Sequence, residues 1–144
     1  MNSRLKVQYI RVPVENVDRA LDWYIHMLGA VTPHKAHDGL ASCSLAGGPA
    51  LHLVRIDDEK RLAWMENGRK EPVVGLLTGR IRQTRDHMLE SGVAVGELID
   101  EGDIGDFFHF YDLDGNLFEV YGPRTAEQYE WDWKHGNVEE RKGE

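Results

Sequence analysis

A carboxylate set among aromatic residues is the first place in this 144-residue chain where chemistry could be done. Glu119 lies in Leu117-Phe118-Glu119-Val120-Tyr121, and ten residues earlier His109 lies in Phe107-Phe108-His109-Phe110-Tyr111. Between them stands Asp112-Leu113-Asp114-Gly115-Asn116, whose Gly and Asn supply the backbone freedom of a tight reversal, so Asp106 to Gly122 is expected to form a β-hairpin. Side chains alternate faces along a strand, which places His109 with Tyr111 on one face of the first arm. It likewise places Glu119 with Tyr121 on one face of the second, opposite Phe118 and Val120. Burying a carboxylate without a partner costs several kcal/mol, so Glu119 is expected either at a wet rim or in a cavity, paired with Arg11, His52 or His109.

The elements that must hold these residues can be followed along the chain. Residues 5 to 14 alternate as a strand, with Gln8, Ile10 and Val12 on one side and Val7, Tyr9 and Arg11 on the other. Asn16 suits a helix N-cap, and Val17, Ala20, Leu21, Tyr24, Met27 and Leu28 recur at helical spacing before Gly29, a natural C′ residue. Three short strands are expected near residues 30 to 36, 40 to 46 and 50 to 55, broken at Asp38-Gly39 and Gly47-Gly48-Pro49. The charged stretch Asp57 to Pro72 reads as a connector, compatible with a helical turn at Glu59 to Met65. Val73 to Leu77 reads as a strand, and Ile81, Thr84, Met88 and Leu89 as one face of a helix stopped at Gly92. Val93 to Ile99 reads as a further strand before the hairpin. Tyr129, Trp131 and Trp133 in the polar tail, residues 123 to 144, are expected either to fold back or to meet a partner chain.

The two halves repeat. Gly48-Pro49-Ala50-Leu51-His52-Leu53-Val54 matches Gly115-Asn116-Leu117-Phe118-Glu119-Val120-Tyr121 in turn position and face pattern, so His52 sits where Glu119 sits. Each block ends a strand-helix-strand-strand-strand series, over about residues 5 to 56 and 73 to 122. The fold class expected is therefore α+β, with two tandem β-α-β-β-β units in one domain, residues 1 to 122, forming a curved mixed sheet around a cavity with helices outside. Alternation places Tyr9, Arg11, His52, Tyr111 and Tyr121 on the cavity face, with Val54, Val73, Gly75 and Leu77. The tyrosines would give polar handles on an aromatic wall. Arg11 would either recognise an anionic group or stand solvated at the mouth.

Composition narrows the function. The excess of 25 acidic over 17 basic residues, a formal charge of -8, disfavours nucleic acid and anionic membrane as partners. The single cysteine, Cys43, excludes an internal disulfide and suits a reducing, cytoplasmic setting, and Cys43 is expected to pack inside. No apolar stretch reaches spanning length. Nucleophile-elbow and phosphate-loop patterns are absent.

An aromatic strand, then Asp-x-Asp-Gly-Asn, then a strand with Glu four residues after the glycine resembles the closing signature of the vicinal oxygen chelate superfamily, the glyoxalase, bleomycin resistance and extradiol dioxygenase group. Val12-Pro13-Val14-Glu15-Asn16 through Trp23-Tyr24 and Leu28-Gly29 is similar to that group's first strand and helix, and the resemblance covers roughly residues 5 to 122. It implies a small-molecule binding or transforming protein that forms a homodimer. In the group's metal enzymes His or Glu ligands come from the first and last strands of each unit, places held here by Tyr9, His52, Val73 and Glu119. Only two of these ligate conventionally, so the resemblance implies no metal cofactor, with Glu119 and His109 as the catalytic candidates and Tyr9, Arg11, His52, Tyr111 and Tyr121 as ligand contacts. The alternative it leaves open is a metal-dependent lyase or dioxygenase holding a divalent ion with His52, His109 and Glu119.

Overall fold

The computed structural model of the chain describes residues 4–136. The described residues form two compact units, one from residues 4–62 with 113–116 and one from residues 63–112 with 117–136. Among the described residues the architecture is α+β, with three α-helices and mixed sheets.

In the first unit the order is β1 (Tyr9–Val14), α1 (Val17–Leu28), β2 (Val31–His37), β3 (Leu40–Ser44) and β4 (Ala50–Arg55). The sheet runs β1-β4-β3-β2; β1 and β4 are parallel and the other pairs antiparallel. A parallel pair needs a crossover, and α1 together with β2 and β3 supplies it. Asn16 Oδ1 accepts the Arg19 N–H at 2.9 Å, and Gly29 closes α1 in the left-handed region at φ 68°. Val17, Ala20 and Tyr24 of α1 are buried, as are Val12, Val14, Ala41, Cys43, Leu51 and Leu53 of the sheet. Alternation thus sends one set of side chains into the core and leaves Tyr9, Arg11, Ser42 and His52 on the other face. Pairing starts at Tyr9 rather than at residue 5, because β4 begins at Ala50, whose N–H bonds to Gln8 O. Leu5 and Val7 are exposed.

The second unit opens with a hairpin of β5 (Trp64–Glu66) and β6 (Arg69–Glu71), and the helical turn expected at Glu59 to Met65 does not form: residues 59 to 63 are irregular and Trp64 and Met65 are already in β5. Asn67 and Gly68 have φ of 51° and 79°, the positive values of a two-residue hairpin turn, and this local chemistry outweighs the charged composition. There follow β7 (Val74–Leu77), α2 (Ile81–Glu90), β8 (Ile99–Asp100), β9 (Asp106–Tyr111), β10 (Leu117–Gly122) and α3 (Ala126–His135), in a sheet of order β7-β10-β9-β8. Again the first and last strands of the unit, β7 and β10, are parallel neighbours.

Two further expectations change in this unit. Leu89 is exposed, leaving Ile81 and Met88 as the buried face of α2. The expected strand Val93 to Ile99 is reduced to a bridge at Val95 and the short β8. From Val95 to Ile99 is four steps, while their partners Phe110 and Phe107 are three apart, so an extra residue interrupts the ladder. Phe108, Phe110, Phe118 and Val120 form the core of this sheet, with Phe110 and Phe118 stacked at 5.3 Å. The tail returns as α3 on this unit: it contacts β7, and the Tyr129 ring lies 3.4 Å from where a Cβ on Gly79 would stand. Residues 137–144 of the tail lie outside the described residues. No helix among the described residues is long and apolar enough to cross a membrane.

Cys43 is buried as expected, and burial pushes its thiol up from 9.0 to about 11. The fold favours the protonated thiol, so the stability this gives is complete below pH of about 9 and is lost as pH rises through about 11. Native protein at pH 8 is expected to resist iodoacetamide and to be alkylated on unfolding. Labelling of the native chain at the rate of a free thiol would contradict this placement.

Candidate functional site

The hairpin register decides what stands beside Glu119. Across β9 and β10, Glu119 pairs with His109, Tyr121 with Phe107 and Leu117 with Tyr111; across β10 and β7, Glu119 pairs with Gly75 and Tyr121 with Leu77. One face of the second sheet therefore carries Phe107, His109, Tyr111, Glu119, Tyr121 and Gly75, opposite the buried phenylalanines.

Glu119 Oε1 lies 3.2 Å from His109 Nε2, and each side chain is about one-third exposed, at 33% and 34%. The expected partner is thus His109. The ring nitrogen carrying a proton donates to the carboxylate, which fixes the ring and leaves Oε2 directed toward Gly75: a Cβ built there would stand 3.9 Å from Oε2. A His–Glu pair at a half-open sheet face can hold a hydrogen-bond donor, or take and return a proton.

The other expected residues are distributed as follows. Tyr111 is 37% exposed at the end of β9. Tyr121 is buried, its ring stacked on Phe107 at 4.9 Å, and its hydroxyl lies 3.0 Å from both Ile104 O and Asp132 Oδ2. That hydroxyl anchors α3 and the loop before β9, so it is not a free handle for a ligand. Asp132, buried on α3 and also bonded by Gln128 Nε2 at 2.8 Å, was not legible as its partner, because the contact depends on how the tail folds back. Phe107 could have been found from the sequence: it is two residues before His109 and so on its face.

In the first unit Tyr9 and His52 stack face to face, with ring centroids 4.0 Å apart and planes within 3°. Arg11 and Ser42 flank His52 in the ladder, and Arg11 is exposed. Val73 is exposed and precedes β7, so the residue the ladder sets beside Glu119 is Gly75, not Val73.

Two of the clefts among the described residues lie away from these side chains. One, of about 560 Å³, is lined in part by Thr78, Arg80, Arg124 and Tyr129; the other, of about 480 Å³, by Arg19, Arg55 and Arg61 among others. Their chemistry is largely spent internally: Arg124 pairs with Asp106 at 2.9 Å and with Asp100, and Arg55 with Asp57 at 3.0 Å. The His109–Glu119 face, with a carboxylate oxygen left open, is the stronger candidate.

A catalytic transition-metal site needs about three protein donors. Among the described residues no group of three or more His, Cys, Asp or Glu side chains is placed to hold an ion. His109 and Glu119 are the donors on the second sheet's face; His52, on the first sheet, is flanked by Tyr9 and Arg11. Neither set by itself fits a metal centre.

Each unit has the order β-α-β-β-β, and a fold of this kind does not by itself fix a chemistry. The model of the Glyoxalase/Bleomycin resistance protein/Dioxygenase superfamily matches residues 6–120, and the chain belongs to that superfamily. Comparison with curated proteins returns no match. Among solved structures, TnmS3, an antibiotic binding protein from a Streptomyces species, is similar at 23% identity and TM-score 0.61, over 85% of this chain and 99% of that one. A variant of the fosfomycin resistance protein FosX from Listeria monocytogenes, complexed with Mn(II) and 1S,2S-dihydroxypropylphosphonic acid, is similar at 16% identity and TM-score 0.64, over 90% and 96%. A lactoylglutathione lyase from Agrobacterium tumefaciens is similar at 13% identity and TM-score 0.62, over 84% and 96%. These likenesses share the fold.

Proposed function

We propose that this protein binds a small organic molecule on the open face of its second sheet, recognising it through the His109–Glu119 pair and without a resident transition metal. The observation that carries this reading is the 3.2 Å contact between His109 and Glu119 on a face that also bears Phe107 and Tyr111. The aromatic rings offer flat apolar contact, and the carboxylate offers one oriented acceptor, a combination suited to small-molecule recognition. An antibiotic binding protein among the structural relatives is in keeping with it. The pair also has the groups needed to move a proton within a bound molecule, so binding and transformation share one site.

Glu119→Gln keeps the shape and removes the charge. It is expected to weaken ligand binding by roughly 10- to 100-fold, the worth of a hydrogen bond to a charged group. Binding should be measured by calorimetry against a panel of aromatic amines and phenols, alongside elemental analysis of the purified protein, where well under one metal ion per chain is expected. A full-occupancy ion coordinated by Glu119 with His109 or His52 would replace this reading with that of a metal-dependent lyase or dioxygenase.

A further inference from the structure

Nothing among the described residues requires a glycine at Gly75. It lies inside β7, where glycine packs no side chain and loses the most conformational freedom on folding. Its φ is not among the chain's positive values, so the backbone would accept any L residue. Space would accept one too, since among the described residues an added Cβ meets only Glu119 Oε2, at the ordinary contact distance of 3.9 Å. The contrast with Gly105 and Gly122 is direct. A Cβ on Gly105 would stand 2.3 Å from Gly122 O, and one on Gly122 would stand 2.7 Å from Ile81 Cβ.

What the missing side chain does leave is an exposed patch of bare strand beside the carboxylate oxygen that His109 does not hold. We propose that Gly75 is the specificity-determining residue of the site, its bare backbone forming the floor on which a planar ligand lies while a hydroxyl or ammonium of that ligand donates to Glu119 Oε2. A flat ring can approach a glycine Cα more closely than any other residue, and the acceptor next to that floor selects for a donor at the ring's edge. The ligand class is an aromatic or heteroaromatic molecule carrying a phenolic hydroxyl or a protonated amine. This inference rests on the function proposed above and adds the shape that the site accepts.

The test uses the full chain with three millimolar probes followed by ligand-observed NMR: benzylammonium, phenol and the donor-free toluene. The wild-type protein is expected to bind the first two in preference to toluene. Gly75→Val is expected to weaken both by roughly tenfold, the scale at which a few extra methyl groups in a fitted site act, and Gly75→Ala to weaken them less, in the same direction. Gly75→Ala keeps the test sound should the larger side chain disturb folding, because its Cβ makes only an ordinary contact; thermal melts of both variants at or above the wild-type midpoint show the strand intact. Wild-type affinity retained in Gly75→Ala and in a folded Gly75→Val overturns the floor, as does failure of both donor probes to bind the wild type. Donor probes that bind Glu119→Gln as they bind the wild type overturn the function proposed above instead.

Discussion

Asn116→Ala is expected to cost about 2–4 kcal/mol of stability, because the side chain holds two backbone groups at once. Asn116 is completely buried. Its Nδ2 donates to Pro13 O at 2.8 Å and its Oδ1 accepts the Leu62 N–H at 2.7 Å, so the orientation of the amide is fixed by its partners. Alanine supplies neither group and leaves a partly buried carbonyl and a partly buried N–H without them. At roughly 2–4 °C per kcal/mol for a chain of this size, the melting midpoint should fall by about 5–15 °C. Asn116→Asp, nearly the same shape, should do no better, since it sets a carboxylate oxygen against Pro13 O. Urea unfolding measures both, and a loss below about 1 kcal/mol for Asn116→Ala would show that water replaces the two bonds.

Asn116 also illustrates where sequence and fold part company. As the last residue of Asp-Leu-Asp-Gly-Asn it is readable as a turn residue, and the turn is there. Its deeper role depends on Pro13 and Leu62, 103 and 54 residues away, which no local pattern specifies. Helix α1 was legible to its ends because Asn16, the apolar period and Gly29 all agree. The facing of His109 and Glu119 was legible because alternation is strict in a hairpin and a one-residue slip would bury the charges. The register of β7 was not. A parallel partner is set by a crossover of some forty residues, and a shift of two positions, which preserves the face, is enough to exchange Val73 for Gly75 beside Glu119. The Asn67-Gly68 hairpin was signalled locally, but its strands Trp64–Glu66 and Arg69–Glu71 are short and mostly exposed, so no apolar alternation marks them. In the tail the described part folds back, with Tyr129 against Gly79, while Trp133 remains 47% exposed.

Gly105→Ala is expected to be at least as damaging, at about 3–5 kcal/mol, and to reach the site as well as the fold. Gly105 has φ 137° and ψ −161°, a region essentially closed to residues with a Cβ, which by itself costs about 1–3 kcal/mol. The added methyl would also stand 2.3 Å from Gly122 O and 3.0 Å from the Tyr121 ring. Gly122 pairs with Asp106, the first residue of β9, so relieving the clash means parting β9 from β10 at their joined end. The same end is fastened by Arg124, which bonds Asp106 at 2.9 Å and Gly102 O at 2.7 Å, and by the Tyr121 hydroxyl on Ile104 O. These contacts resist the displacement, so the strain is not relieved cheaply by moving the loop. Gly102→Ala separates the two causes: Gly102 also has a positive φ, 66°, but a Cβ there meets nothing within 4 Å, and the expected cost is about 1 kcal/mol. A displaced β9 carries His109 away from Glu119, so Gly105→Ala should lower ligand binding under conditions where the chain is still folded, whereas Gly102→Ala should leave binding unchanged. Equal stability losses in the two variants would mean that the Gly122 contact relaxes freely and that backbone conformation alone sets the cost at Gly105.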